Sequence, residues 1–174
     1  TKSFIVWKCM LSRCYHKKTQ QSSKTYKGVT TDKEWHNFQV FAKWYEEEIS
    51  KLDSSLEYQL DKDILGGKSY APDTCCLITS ELNKLLTFCN AKRGKYLVGV
   101  TLPKGSLKFK ACVRKGSGKS ETIGWYETED LAFSAYKEAK EGYIQEVAQK
   151  HYGKGLIDFK VFKALMEYKV LKTL

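Results

Sequence analysis

The chain has 174 residues, 42% hydrophobic and 13% aromatic, enough apolar surface for one ordinary domain or two small ones. No run approaches the ~20 apolar residues of a membrane span, and the N-terminal TKSFIVWKCMLSRC has too short an apolar stretch for a secretory signal. No membrane partner is therefore expected, and an intracellular location is; the formal charge of +10, from 30 basic and 20 acidic residues, points to an anionic partner.

Taken in chain order, Phe4, Trp7, Met10, Leu11 and Cys14 follow helical spacing and predict an amphipathic helix over residues 3–14. The next segment, HKKTQQSSKTYKG, is polar without periodicity and reads as a loop, with His16 solvated in it. A second helix is expected from Thr31 or Asp32, either of which offers a capping side chain. Trp35, Phe38, Phe41, Trp44 and Tyr45 form its aromatic packing face, and His36 lies on the polar side. After the charged EEEISKLDSS, residues 56–65 look extended, Gly66 and Gly67 supply a turn, and Tyr70 to Ile78 return as an irregular strand. TSELNKLLTF then opens a helix capped by Thr79 or Ser80.

From Lys95 the pattern changes to three short strands, YLVGVT, LKFKACVR and ETIGWY, separated by turns containing Gly and Ser. A helix is expected from Thr128 to Lys150, with Leu131, Ala132, Ala135, Tyr136, Ala139, Tyr143 and Val147 inward. The tail IDFKVFKALMEYKVL reads as a further amphipathic segment. The expected fold class is α+β: a small ββα module followed by a three-stranded antiparallel sheet packed on a helix.

The cationic excess is local. From Leu82 to Ser120 there is no acidic residue and there are ten basic ones, Lys95, Lys108, Lys110, Arg114 and Lys119 among them, whereas the rest of the chain is balanced. Alternation on the middle strand sends Phe109, Ala111 and Val113 to one face and Lys108, Lys110, Cys112 and Arg114 to the other. A twisted ribbon with one cationic face can enter the major groove of duplex DNA, where Arg and Lys read guanine edges and hold phosphates.

The pieces GKYLVGV, FKACVR and IGWYETEDLAFSAY, in that order, resemble the plant ethylene-response-factor (APETALA-type) DNA-binding domain, which also occurs in phage nucleases. The resemblance implies that the sheet contacts DNA and the helix buttresses it. It places Thr101, Lys110, Arg114 and Thr122 at DNA-facing positions, with Trp125 at the adjacent strand end. Val98, Thr101 and Cys112 depart from the longer polar residues frequent in plant members, so their base preference does not transfer. GSGKS at 116–120 is not a phosphate loop, since Val113 stands where that motif needs Gly and two strands flank it, so no nucleotide cofactor is expected.

Upstream, a strand hairpin followed by a helix can place a carboxylate and an amide around one divalent cation, and Asp61 and Asn83 fit those positions. Oxygen ligands favour magnesium or manganese. Six cysteines (Cys9, Cys14, Cys75, Cys76, Cys89 and Cys112) include no Cys-x2-Cys pair, so reduced thiols are expected and zinc is not. The strongest zinc alternative combines Cys9 and Cys14 with Cys75 and Cys76.

Residues 7–85 resemble the phage His-Asn-His homing-endonuclease family through WKCMLSRCY, YKGVTTDKEWHNFQVFAKWY, LDKDI, SYAPDTC and ITSELN. The resemblance implies a metal-dependent endonuclease with a ββα-metal core and with Asp61 and Asn83 as ligands. Alternation with Asp61 on an extended segment would let Asp63 orient water or take a second ligand position, and Lys62 would contact phosphate. Lys62 occupies the family's histidine position, and a protonated lysine is a poor base unless strongly desolvated. Thr74 lies near the place of the family's middle asparagine. The expected domains are 1–91 (nuclease-derived), 92–152 (ethylene-response-factor type) and 153–174 (C-terminal amphipathic segment). The expected function is sequence-selective duplex-DNA binding with metal-dependent cleavage, in host cytoplasm or a phage-infected cell. The alternatives are a DNA-binding regulator or blocking protein that has lost the chemistry, and a phage interaction or inhibitor protein with an acidic protein partner.

Overall fold

A computed structural model describes residues 1–22, 24–86, 95–116 and 120–172. Its α+β fold contains, among the described residues, six α-helices and seven short strands. The chain divides into two compact units, Thr1–Ser80 with Tyr152–Ala164, and Glu81–His151 with Leu165–Leu174. The boundary expected at residues 91 and 92 lies outside the described residues, and the segment 153–174 is shared between the units.

The first unit begins with α1 (Lys2–Tyr15), capped by the Thr1 hydroxyl. The loop expected next instead holds α2 (Lys17–Ser22) and a 3-10 turn (Lys24–Tyr26). A polar helix gives no apolar periodicity to read; this one is tied back to α1 by a 3.1 Å contact between the Ser12 and Thr19 hydroxyls. Thr31 does not start a helix either. It lies in β1 (Thr30–Thr31), and Asp32 accepts the Glu34 N–H at 2.8 Å to open a 3-10 turn (Glu34–His36). The long helix, α3 (Phe38–Ile49), starts at Asn37, whose side chain accepts the Gln39 N–H. Its aromatic stripe packs inward as expected: Trp35, Phe41 and Tyr45 are buried with Met10, Tyr58, Tyr70 and Leu77.

β2 (Tyr58–Asp61) pairs antiparallel with β4 (Cys76–Thr79), Asp61 opposite Cys76, and α4 (Ser80–Leu86) follows β4 directly. The expected order of strand, turn, strand and helix is present with shorter strands. The return is not one strand from Tyr70 to Ile78, because β3 (Ser69–Tyr70) runs parallel to β1.

In the second unit β5 (Val100–Thr101), β6 (Phe109–Arg114) and β7 (Ser120–Tyr126) form an antiparallel sheet in that order, followed by α5 (Glu129–Gly153). YLVGVT contributes only two strand residues. Gly99 has φ +77°, and a Cβ there would stand 2.1 Å from the Tyr136 ring, so the chain turns tightly over α5 before pairing. Val100, Ala111 and Val113 pack on Ala132, Phe133 and Tyr136, which makes the inner layer. Leu131, expected inward, is exposed; Ile144 is buried further along the helix. The tail of this unit is pinned to α5, with Val170 buried and its N–H donated to Glu141 at 2.8 Å. The remaining helix, α6 (Phe159–Met166), starts with the Asp158 carboxylate accepting the Val161 N–H at 2.8 Å. No helix among the described residues is long and apolar enough to cross a membrane.

Candidate nucleic-acid interface and candidate metal site

Antiparallel pairing sets the outward face of the second unit's sheet in rows. Thr101 pairs with Lys110 and Lys110 with Trp125, so these three side chains form one row across all three strands. Cys112 pairs with Thr122 and Arg114 with Ser120, giving two further rows on a two-stranded ribbon beyond the end of β5. Rows two residues apart are about 7 Å apart, so Lys110 and Arg114 are separated by roughly 14 Å along the strand. A register shift between Ala111 and Cys112 leaves Ile123 as the extra residue of β7, and it packs with the inner cluster. Such a bulge raises the local twist and keeps Thr122 and Trp125 both outward.

Trp125 is 51% exposed, and the Lys110 ammonium stands 5.7 Å from its ring centroid. Trp125 is therefore a surface residue and not part of the core, and the lysine is held by ring electrostatics without losing its charge. Among the described residues no carboxylate pairs with Lys110 or Arg114. Lys108 differs: its ammonium is 2.8 Å from Glu127, both side chains exposed. Thr101, Thr122, Arg114 and Lys95 are exposed, and Lys119 lies outside the described residues. Cys112 lies on this face as its alternation with Lys110 and Arg114 predicts, whereas Ser120 carries no such signal, because its row depends on a register that a bulge resets.

The 61–75 loop in the first unit is organised differently. Asp61 ends β2, and its Oδ1 accepts the N–H groups of Asp63 and Ile64, each at 2.9 Å. This closes a turn and breaks the alternation that would have set Asp61 and Asp63 on one strand face. Burial pushes the Asp61 carboxyl above its ordinary pKa, with the Ile64 and Asp63 N–H groups opposing. Lys62 is buried, its ammonium bonded to the Asp63 carboxylate and 6.0 Å from the Tyr70 ring centroid. Thr74 Oγ1 donates to the Ser69 carbonyl at 2.8 Å and accepts the Ala71 N–H at 3.1 Å, so it braces the loop's backbone. Gly67 is required beside it, since a Cβ there would meet Thr74 at 2.5 Å and the Lys62 carbonyl at 2.9 Å.

Asn83 is half-buried on α4 in the second unit, whereas Asp61 belongs to the first. Among the described residues no three His, Cys, Asp or Glu side chains form a metal-binding group. Asp61 offers a cation its Oδ2, on which no hydrogen bond falls among the described residues. Magnesium is commonly held by one or two carboxylates, water and substrate phosphate, so a single half-buried carboxylate fits that mode. It does not fit a closed protein cage. The four cysteines of the zinc alternative do not form such a cage either: Cys9 is exposed, Cys14 and Cys75 are core thiols, and burial pushes those two up to about 11 and about 12. His16 bonds Thr19, and His36 lies 3.3 Å from the Tyr15 hydroxyl.

Comparison of the chain with protein-family models, curated proteins and solved structures finds no match.

Proposed function

We propose that the chain is a sequence-selective duplex-DNA-binding protein that reads the major groove with the outward face of β5, β6 and β7. The observation that carries this reading is the row Thr101, Lys110, Trp125 with Arg114 beyond it, outward in register while the opposite face packs on α5. The outer strands are about 10 Å apart, comparable to a groove about 12 Å wide. The distance from Lys110 to Arg114 corresponds to roughly four base pairs at 3.4 Å each. Arg114 and Lys110 supply donors for guanine O6 and N7, Thr101 and Thr122 supply hydroxyls, and Lys95 and Lys108 reach phosphates once Lys108 exchanges Glu127 for the backbone.

A salt titration of a labelled duplex tests this reading. Affinity should fall linearly in log–log form with salt, because neutralised phosphates release counterions. No affinity at low salt, with capture of an acidic protein instead, would favour the protein-partner alternative.

A second reading adds phosphodiester hydrolysis, favoured by the antiparallel β2 and β4 pair running directly into α4 with Asp61 at the strand end. A magnesium or manganese ion would supply charge stabilisation at the scissile phosphate. Asp61 would hold it, while Asp63 would orient water and keep Lys62 in place. Cleavage that needs the metal and vanishes in Asp61→Asn, with duplex binding retained, supports this reading; continued cutting in that variant rejects the site.

A further inference from the structure

The first unit carries an aromatic surface that the sheet face does not account for. Tyr152, Phe159 and Phe162 meet on it: Tyr152 stacks on Phe162 with centroids 4.6 Å apart and planes at 20°, and Phe159 lies 6.1 Å from Tyr152 and 6.3 Å from Phe162. Rings that contact one another in a folded chain are ordinarily buried, yet Tyr152 is 43% and Phe159 62% exposed. Tyr152 comes from the end of α5 and the two phenylalanines from α6, which is not short of an inner face, since Val161 is buried. Phe159 and Phe162 lie three residues apart, so they share the outer face with Lys163.

The charge around the rings selects the occupant. Residues 152–164 carry Lys154, Lys160 and Lys163 against one acid, Asp158. Asp158 is committed to the first turn of α6, where it accepts the Val161 N–H. Lys160 donates to the backbone carbonyl of Asp73, which leaves its charge unneutralised. Exposed π faces among unneutralised lysines match a polymer that alternates planar bases with anionic phosphates, provided its bases are not paired. We infer that Tyr152, Phe159 and Phe162 form a stacking platform for the unpaired bases of a single-stranded nucleic acid, with Lys154, Lys160 and Lys163 holding its phosphates. A duplex hides its base faces, so this surface takes strands that the sheet does not, and the inference stands independently of the sheet's role.

The test is fluorescence anisotropy of short labelled oligothymidylate and oligouridylate with the full chain and three variants. Phe159→Ala should weaken binding about tenfold, as loss of one stacked base contact does. Phe159→Trp should retain or improve it, and Phe159→Leu should weaken it like alanine, because leucine keeps the apolar surface and removes the π face. Phe159 is mostly exposed, so far-UV dichroism and melting should be unchanged in all three. Three results overturn the inference: no oligonucleotide binding at low salt, leucine binding as well as phenylalanine, or binding that survives at Phe159 and is lost in Lys110→Ala/Arg114→Ala. Binding to anionic vesicles without oligonucleotide binding would assign the rings to a lipid surface. Normal duplex binding by all Phe159 variants is expected; lost duplex binding in the Lys110/Arg114 variant, with oligothymidylate binding intact, separates the two surfaces.

Discussion

The outward sheet face and the 61–75 loop present similar residue types to opposite ends. On the sheet, backbone pairing sets the positions of Thr101, Lys110, Arg114 and Trp125, the Trp125 ring steadies Lys110, and no ion pair takes up Lys110 or Arg114 among the described residues. In the loop, the polar groups do the positioning themselves: Asp61 closes the turn, Asp63 neutralises Lys62, and Thr74 braces the backbone. A polar group held by its neighbours' pairing remains available to a ligand; one that holds its neighbours does not, or only in part. The sheet is therefore built as a surface, and the loop as a structure with one spare carboxylate oxygen.

Several substitutions break or sharpen this contrast. Gly99→Ala carries the largest expected effect. A methyl group 2.1 Å from the Tyr136 ring, at φ +77°, should cost the second unit roughly 2–4 kcal/mol in urea unfolding and remove duplex binding. Asp61→Ala removes the acceptor of two backbone N–H groups and should cost about 1–3 kcal/mol by the same measurement. Alanine at this site thus conflates folding with chemistry, which is why asparagine, still able to accept both bonds, is the cleaner probe.

Asp61→Asn should also change the dependence of stability on pH. Burial raises the Asp61 carboxyl, so the folded state holds its proton more tightly than the unfolded state does. Its stabilising contribution is present below the unfolded value and is lost as pH rises through the raised folded value. The asparagine variant should gain on the native chain as pH rises from about 4, followed by melting across a pH series; an unchanged difference would mean the carboxylate is solvated. The smallest effect is expected for Trp125→Ala. Its ring is half-exposed, so stability should stay within about 0.5 kcal/mol, while duplex affinity falls by about 0.5–1 kcal/mol through the loss of its hold on Lys110.

The sheet was legible because its evidence is local: period-two alternation in LKFKACVR, turn residues between the strands and an acid-free stretch in the sequence. Its inaccuracies come from two backbone events, the turn at Gly99 that shortens β5, which the lone glycine in YLVGVT signals, and the bulge at Ile123 that resets β7. In the first unit, Asp61 and Asp63 looked like alternating strand residues because a side chain closing its own turn has the same spacing as one on a strand face. α2 was invisible since KKTQQS has no apolar residue to mark a period. Phe159 and Phe162 were read only as part of an amphipathic segment and Tyr152 lay outside it, although the interleaving FKVFK was a signal for a surface that uses both rings and charges.

The central claim, that the outward face of the sheet binds duplex DNA, is tested most directly by comparing the native chain with Lys110→Ala/Arg114→Ala on one labelled duplex over a range of salt. Both side chains point away from the core, so the variant should fold normally by dichroism and melting. The expected result is an affinity at least about tenfold weaker at low salt, with a salt slope shallower by about 2. A folded variant with the native affinity and the native slope would contradict the account.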